Sequence, residues 1–102
     1  MIEVENINGF EWDNGNIEKN WQRHHILNTE AEQVFFNEPL ILFDEKHSTE
    51  VEMRYHALGY TDNDKYLLVV FTVRKQLIRI ISARTMSQKE RKIYNEKTKA
   101  DS

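Results

Sequence analysis

The chain has 102 residues, no cysteine, one proline and three glycines, and 39% of its residues are apolar. A chain of this length buries enough surface for one hydrophobic core, so we predict a single domain over residues 1–102 with a flexible tail from about Lys97. The absence of cysteine excludes disulfides, thiolate zinc sites and a cysteine nucleophile. No apolar run reaches the roughly 20 residues of a membrane span, and the first residues lack the pattern of a signal peptide. We therefore expect a cytoplasmic protein without membrane contact.

The formal charge of −3 is unevenly distributed along the chain. Residues 1–52 hold 12 acidic and three basic side chains, whereas residues 53–102 hold 11 basic and five acidic ones. Between Arg74 and Lys92, seven basic residues accompany only one acidic residue, Glu90. A polyanion would be attracted to this basic segment and repelled by much of the first half. The alternative is that the two halves fold together and neutralise each other.

Two helices are predicted in the acidic half. Over residues 13–24, one helical face is formed at the spacing i, i+3, i+4 and i+7 by Ile17, Asn20, Trp21 and His24. Asp13 or Asn14 is the expected N-cap. Residues 29–32 (Thr-Glu-Ala-Glu) match a capping box that would open a second helix. Pro39 prevents this second helix from continuing.

The rest of the chain has mainly the pattern of β-strands. An apolar run at residues 40–43 and an alternating run over residues 51–58 predict two strands. Longer β-branched and aromatic runs at residues 66–73 and 77–83 predict two more, joined as a tight antiparallel hairpin. A further short strand is expected at residues 10–12.

The predicted fold class is α+β, with two N-terminal helices, an antiparallel sheet of three to five strands and a C-terminal helix. The last helix should start at the capping box of residues 87–90, with Met86, Ile93 and Tyr94 as inward positions. We expect the helices to pack on one face of the sheet. The other face would then be open for a partner or a ligand.

Three arginines, Arg74, Arg79 and Arg84, are the strongest chemical signal. Arg79 interrupts an otherwise apolar strand, and burying an unpaired guanidinium in a core is too costly, so its face must be open or hold an anion. Guanidinium groups bind phosphate oxygens and can stabilise the charge of a phosphoryl transition state. The structural alternative is that each arginine pairs with a carboxylate such as Glu52 or Glu90, or is simply solvated.

The histidines predict no metal site. His24 and His25 project apart on the first helix, and His47 and His56 lack the spacing of metal ligands. We identify no cofactor site. His24 could act as a general acid or base near neutral pH, or it could pack at the end of the first helix.

The large aromatic side chains are predicted to serve the core rather than to stack on bases; these are Trp21, Phe35, Phe36 and Phe71. The sequence pattern does not decide the environment of Tyr94. It lies in the basic helix and could contact either the core or a nucleotide.

A set of short motifs extends over residues 10–96. These are Phe10-Glu11-Trp12-Asp13, Asn20 with Arg23-His24, Glu52-Met53-Arg54, Leu58-Gly59-Tyr60, Val69 to Arg74, Ile78 to Arg84, and Glu90-Arg91 with Tyr94. Together they resemble the BrnT family of bacterial toxins from type II toxin–antitoxin modules. Two positions depart from the family pattern: His25 replaces a common glycine, and Asn16 stands where a lysine is frequent.

The resemblance implies a small RelE-like fold and a ribonuclease that inhibits translation. Our leading hypothesis is an endoribonuclease that cleaves RNA without a metal or other cofactor. The resemblance also implies a cognate ribbon-helix-helix antitoxin, which neutralises the toxin and forms a heterotetramer or larger complex with it. Operator DNA would be contacted only through this antitoxin. The alternative from another class is a non-catalytic module that binds nucleic acid or protein with the same basic surface.

The family's functional residues are carried over position by position. Arg79, Arg84 and Arg74 are expected to hold the phosphate. The resemblance and side-chain chemistry leave the proton carrier open among three residues, namely His24, Glu90 and Tyr94. Further RNA contacts are expected from the other basic residues of the motifs and of the basic segment: Arg54, Lys75, Lys89, Arg91 and Lys92.

Overall fold

A computed structural model of the chain describes residues 8–99, which form a five-stranded sheet and three helices. In chain order the elements are β1 (Gly9–Glu11), α1 (Asn14–His24), α2 (Asn28–Phe36), β2 (Leu40–Asp44), β3 (Arg54–Tyr60), β4 (Tyr66–Arg74), β5 (Leu77–Thr85) and α3 (Gln88–Lys99). The strand order in the sheet is β1-β5-β4-β3-β2, so β4 is the central strand. The predicted α+β class is confirmed. None of the helices in this part of the chain is long and apolar enough to cross a membrane.

The sheet is mixed, whereas the sequence pattern predicted an antiparallel one. Strands β2 to β5 pair antiparallel in succession, but β1 pairs parallel with β5 through Phe10 opposite Ile78 and Glu11 opposite Arg79. A parallel pair needs a long connection between its strands, and here two helices and three strands provide it. Sequence periodicity carries no information about strand direction, so the pattern could not predict this pairing.

A two-residue turn joins β4 to β5. Lys75 and Gln76 have φ angles of 50° and 64°, and positive φ at both positions is characteristic of a type I′ turn. Arg74 and Leu77 pair directly across the turn. The predicted hairpin is confirmed, and Lys75 is exposed at its tip.

Two apolar clusters lie on opposite faces of the sheet. The larger cluster packs Phe35 of α2 with Val69 and Phe71 of β4, as predicted for these aromatic residues. The smaller cluster packs Tyr94 of α3 with Leu68 of β4. Because consecutive strand residues point to opposite faces, Leu68 and Val69 place the two clusters on different sides. The prediction that all helices cover one face is therefore wrong, since α3 covers part of the second face.

Other predicted core residues are exposed. Trp21 is 50% exposed and stacks on the ring of His25. Phe36 is 76% exposed, and its ring makes a T-shaped contact with the ring of Phe10. Val51 is 97% exposed, because β3 begins three residues later than the alternating pattern predicted. Hydrophobic periodicity identified α1, α2 and β3 but assigned too many of their residues to the core.

Side-chain caps begin two of the helices as predicted. The Asp13 carboxylate accepts the backbone N–H of Gly15 at 2.8 Å at the start of α1. At the start of α3, the Ser87 N–H donates to the Glu90 carboxylate at 2.8 Å, and the Glu90 N–H donates to the Ser87 hydroxyl at 3.2 Å. The α3 helix continues to Lys99, into the predicted tail, whose last residues 100–102 lie outside the described part of the chain.

The start of α2 differs from its prediction. The helix begins one residue before the predicted capping box, after Leu27, whose backbone N–H donates to the Glu30 carboxylate at 3.0 Å. The predicted box at residues 29–32 is therefore wrong. Its second carboxylate, Glu32, instead accepts the indole N–H of Trp12 at 2.6 Å, because tertiary packing brings the two side chains together.

Helix α1 lies along the part of β5 that extends beyond β1. The buried Asn20 accepts the backbone N–H of Ala83 at 3.1 Å through its side-chain oxygen, and the Asn16 amide donates to the carbonyl of Ile80 at 3.4 Å. Strand β1 pairs with β5 only from residue 77 to residue 79. The two asparagines thus satisfy backbone groups of a strand edge that would otherwise lack partners.

We expect the substitution Asn20→Ala to lower the free energy of unfolding by about 1–3 kcal/mol, because the buried N–H of Ala83 would lose its acceptor. Urea unfolding measures the change. Lys19→Ala, at an exposed position of the same helix, is the matched control and should change the free energy of unfolding by less than about 0.5 kcal/mol. Equal losses for the two variants would show that the Asn20 bond does not stabilise this edge.

Candidate functional site

An irregularity in β5 determines where its arginines point. The pairing with β4 shifts at one place: Val70 lies opposite Ser82, but the next residue, Phe71, lies opposite Ile80. Ile81 is therefore an extra residue, as in a β-bulge. Beyond it, the alternation of side chains between the two faces starts again with the opposite parity.

Because of this bulge, Arg79 and Arg84 lie on the same face of the sheet. Directly opposite residues on paired strands share a face. Arg79 lies opposite Thr72 and Arg84 opposite Leu68, and these two β4 residues have the same parity. On a regular strand, side chains five positions apart would point to opposite faces. The bulge therefore decides the direction of Arg84 relative to Arg79.

Two further arginines join them on this face. Arg54 of β3 lies opposite Thr72, so Arg54, Thr72 and Arg79 form one row across three strands. At about 4.8 Å per strand, the backbones of Arg54 and Arg79 are about 10 Å apart. Arg74 is two residues beyond Thr72 on β4. We call this surface the arginine face; its four arginine side chains are between 26% and 54% exposed, and they are Arg54, Arg74, Arg79 and Arg84.

Each guanidinium of the arginine face is paired with a carboxylate. Arg79 lies 3.2 Å from Glu11 and 3.6 Å from Asp13. Arg84 donates through both terminal nitrogens to the two oxygens of Glu90, each at 2.7 Å. The structural alternative stated for the arginines is thus observed. The pairs of Arg79 also join the basic half of the chain to the acidic half.

A single carboxylate bridges the other two arginines. Glu52, in the loop before β3, accepts from Nε of Arg54 at 3.2 Å and from Nη2 of Arg74 at 3.1 Å, using one oxygen for each. Burial opposes ionisation, but the hydrogen bonds from Arg74 and Arg54 outweigh it and lower the pKa of Glu52. We call this arrangement the Glu52 clamp.

A groove of about 560 Å³ opens at the clamp. The residues that line it come from the loop between β2 and β3 and from the ends of β3 and β4: His47, Thr49, Val51, Glu52, Arg54 and Arg74. A histidine and two arginines thus line the same groove.

A cluster that the sequence did not indicate forms around Asp44, the last residue of β2. Asp44 lies opposite Arg54 in the sheet. Its Oδ2 atom is 2.9 Å from Nδ1 of His47 and 3.1 Å from Nε2 of His56, and its Oδ1 accepts the backbone N–H of His47 at 3.1 Å. Burial opposes ionisation, but the bonds from His47 and the charges of both histidines lower the pKa of Asp44.

The spacing Asp-x-x-His is a turn signal that could have linked Asp44 to His47. Nothing in the sequence linked either residue to His56, because that contact depends on the pairing of β2 with β3. Both rings bind the carboxylate rather than a common centre. In residues 8–99, no three histidine, aspartate or glutamate side chains are arranged to hold a metal ion.

The three predicted proton carriers have different surroundings. Tyr94 is 7% exposed in the smaller apolar cluster, where burial raises the pKa of its phenol. Hydrogen bonds from Arg84 lower the pKa of Glu90 despite its burial, so Glu90 binds a proton less readily. His24 is exposed at the end of α1, one turn beyond Asn20. Of the three, Glu90 contacts the arginine face directly through Arg84. Tyr94 packs against Leu68, which lies opposite Arg84 on the same face.

The remaining predicted RNA contacts lie at the turn between β4 and β5 and on α3. Lys75 is at the hairpin tip, and Lys89 and Lys92 are exposed on α3. The guanidinium of Arg91 lies 3.8 Å from the centre of the Tyr66 ring, in a cation–π contact. These four cations extend the positive charge of the arginine face without contacting its groove.

Comparison with known proteins establishes the family. A family model described as "Ribonuclease toxin, BrnT, of type II toxin-antitoxin system" matches residues 12–90. The chain belongs to the BrnT family. The resemblance predicted from the motifs is confirmed, and the protein is a ribonuclease toxin of a type II toxin–antitoxin system, with an antitoxin as its partner.

A solved structure has a similar fold. It is the 1.1 Å crystal structure of the Brucella abortus ribonuclease toxin BrnT, which matches with a TM-score of 0.57 and 19% sequence identity. The match covers 78% of this chain and 97% of that one. No curated protein sequence matches the chain. The α+β architecture is therefore shared with a BrnT toxin despite low sequence identity.

The Arg84–Glu90 pair should make stability depend on pH in the acidic range. The pKa of Glu90 is lower in the folded protein than its ordinary value of 4.5, so the pair stabilises the fold above that pH and loses this effect as the pH falls through the folded pKa. We expect Glu90→Gln to lower the free energy of unfolding by about 1 kcal/mol at pH 7. The difference from the wild type should shrink as the pH falls below 4.5.

Urea unfolding at several pH values measures this dependence. Glu96→Gln, at an exposed position of the same helix, removes the same charge and should have little effect at any pH. A difference between Glu90→Gln and the wild type that grows as the pH falls would contradict the pairing.

Proposed function

We propose that this BrnT-family protein is a metal-independent endoribonuclease with a RelE-like fold, which inhibits translation by RNA cleavage in the cytoplasm. The arginine face is the observation that supports this most directly. It presents four guanidinium groups on a sheet face that α3 covers only in part. Guanidinium groups bind carboxylate and phosphate oxygens with similar geometry, so RNA phosphates can replace the internal carboxylates.

In the proposed reaction the ribose 2′-hydroxyl attacks the adjacent phosphate. The bond from the 2′-oxygen to phosphorus forms while the bond to the 5′-oxygen breaks, which gives a cyclic phosphate and a free 5′-hydroxyl. Arg79, Arg84 and Arg74 are the first candidates for holding RNA phosphates and stabilising the added charge. His24 is the exposed candidate among the predicted proton carriers, and further phosphate contacts come from Arg54, Lys75, Lys89, Arg91 and Lys92.

RNA binding on this face exchanges one set of ion pairs for another. Arg79 would give up Glu11 and Asp13, and Arg84 would give up Glu90, which also caps α3. The carboxylates hold the guanidinium groups in place before RNA arrives, but they also compete with it. We therefore expect binding that weakens steeply with salt.

We expect Arg79→Ala and Arg84→Ala each to abolish growth arrest and to lower the rate of RNA cleavage at limiting RNA at least about tenfold, because each removes a phosphate contact. Purified variants are assayed for RNA cleavage and for thermal unfolding together. Lys19→Ala, which removes a positive charge from an exposed position on α1, is the control and should cleave at the wild-type rate. Variants that unfold would show that these arginines are structural.

The same assay tests the chemistry. RNA with a 2′-deoxy nucleotide at the cleavage site should remain intact because the attacking group is missing, and EDTA should not protect ordinary RNA. Protection by EDTA would contradict a metal-independent reaction. Binding without any cleavage, by wild-type protein, would instead favour the non-catalytic binding module.

We propose further that the antitoxin is a ribbon-helix-helix protein that covers the basic segment from Arg74 to Lys92. An acidic or amphipathic antitoxin segment would complement this charge and exclude RNA by occupying its site. A ribbon-helix-helix protein is itself a dimer, so the complex should hold at least two toxins, as a heterotetramer or larger assembly. Contact with operator DNA would then come from the antitoxin alone.

Hydrogen exchange with and without the antitoxin tests this placement. We expect added protection to concentrate between Arg74 and Lys92, and RNA to compete with the antitoxin for the toxin. Protection confined to residues 13–36, with the basic segment still exchanging freely, would show that neutralisation does not act by direct coverage.

A further inference from the structure

The proposed cleavage needs a proton acceptor close to a bound phosphate. Of the predicted carriers, Tyr94 is buried in an apolar cluster and Glu90 is held by Arg84. His24 lies at the end of α1 rather than beside the groove. The inference below rests on the proposed ribonuclease function and concerns where on the arginine face the reaction takes place.

His47 has the geometry of a general base. A carboxylate accepts hydrogen bonds, so in the neutral ring the contact of Nδ1 with Asp44 at 2.9 Å places the proton on Nδ1 and leaves the lone pair of Nε2 free to accept another. The side chain is 58% exposed, whereas that of Asp44 is only 9% exposed. A buried, ionised carboxylate in this position orients the imidazole and stabilises the cation that forms when it takes a proton.

Asp44 is itself held from two sides. The backbone N–H of His47 donates to one of its oxygens, and Nε2 of His56 donates to the other at 3.1 Å. Both oxygens are thus fixed by neighbouring groups. Asp44 lies at the end of a strand, so its contact with Nδ1 fixes the direction of the His47 ring relative to the sheet.

The Glu52 clamp marks a position for an oxyanion in the same groove. Arg54 and Arg74 come from different strands, yet each donates to a separate oxygen of one carboxylate. The two non-bridging oxygens of a phosphodiester can accept the same two hydrogen bonds. His47, Glu52 and both arginines line the groove together.

We propose that Arg54 and Arg74 hold the scissile phosphate where the Glu52 carboxylate now lies, and that Nε2 of His47 takes the proton of the attacking 2′-hydroxyl. The 2′-oxygen then bonds to phosphorus, the bond to the 5′-oxygen breaks, and water protonates the 5′-oxygen. His47 returns its proton to water. Asp44 is a positioning residue, and Arg79 and Arg84 bind neighbouring phosphates.

His47→Ala tests the proton acceptor. We expect kcat to fall about 10²- to 10⁴-fold, while the Kd for RNA with a 2′-deoxy nucleotide at the cleavage site stays within about twofold of the wild type, because phosphate contacts remain. Added imidazole should restore part of the lost rate. His25→Asn is the matched control: it removes another exposed histidine, which has a φ of 55° that asparagine tolerates, and it should neither slow cleavage nor respond to imidazole.

Asp44→Asn tests the positioning role. The amide keeps the size of the side chain but no longer fixes the ring proton on Nδ1, so kcat should fall without a rise in the Kd of the deoxy-substituted RNA. If Asp44 only supported the fold, Asp44→Asn would change both kcat and the Kd of the deoxy-substituted RNA. It would also lower the midpoint of thermal unfolding.

Glu52→Gln tests the phosphate position. Removing the competing carboxylate frees both arginines, so the deoxy-substituted RNA should bind at least about threefold more tightly than it does to Glu50→Gln. Glu50 is exposed two residues away, and its substitution removes the same charge without touching the clamp. Equal affinities for these two variants would overturn the assignment of the phosphate to the Glu52 position.

The histidine variants separate this inference from the ribonuclease function itself. Cleavage by the wild type together with an unchanged kcat in His47→Ala would overturn the inference and leave the ribonuclease function standing. A wild type that cuts no RNA would overturn both.

Discussion

One extra residue in β5 organises the functional half of this protein. The bulge at Ile81 reverses the alternation of the strand, so that Arg79 and Arg84 share a face although an odd number of positions separates them. Without it, one of the two would point toward the larger apolar cluster, where a guanidinium is costly to bury. Arg54 and Arg74 lie on the same face as these two arginines because of ordinary cross-strand pairing. The arginine face is therefore a product of strand register.

Ion pairs within the chain keep a carboxylate at each guanidinium of the arginine face. Glu11, Asp13 and Glu52 come from the acidic half and pair with arginines of the basic half. Partly exposed pairs of this kind stabilise a fold only modestly. Their stronger effect is to hold flexible side chains in place and to keep an anion at each guanidinium. A ligand that carries phosphates must exchange with these carboxylates, which connects the charge asymmetry of the sequence to the chemistry of the surface.

Local chemistry in the sequence determined the class of fold and most of its elements. The caps at Asp13 and at Ser87 with Glu90, the hairpin at residues 75–76 and the β-branched strands each depend on neighbouring residues, so they could be predicted without the fold. The same holds for the family, whose motifs are short segments of sequence. Arg79 was also identifiable, since a lone charge within an apolar strand indicates an open face or an anion partner.

Only the tertiary structure decided the features that depend on residues far apart in the chain. These include the parallel pairing of β1, the position of α3 on the second face, and the pairs of Arg79 with Glu11 and of Glu32 with Trp12. The cluster around Asp44 belongs to the same class, because His56 reaches it only across two paired strands. Hydrophobic periodicity specifies which residues are apolar and at what spacing, but it carries no information about strand direction, register or bulges. Side chains meet across a sheet according to register, and register is set when the whole sheet packs.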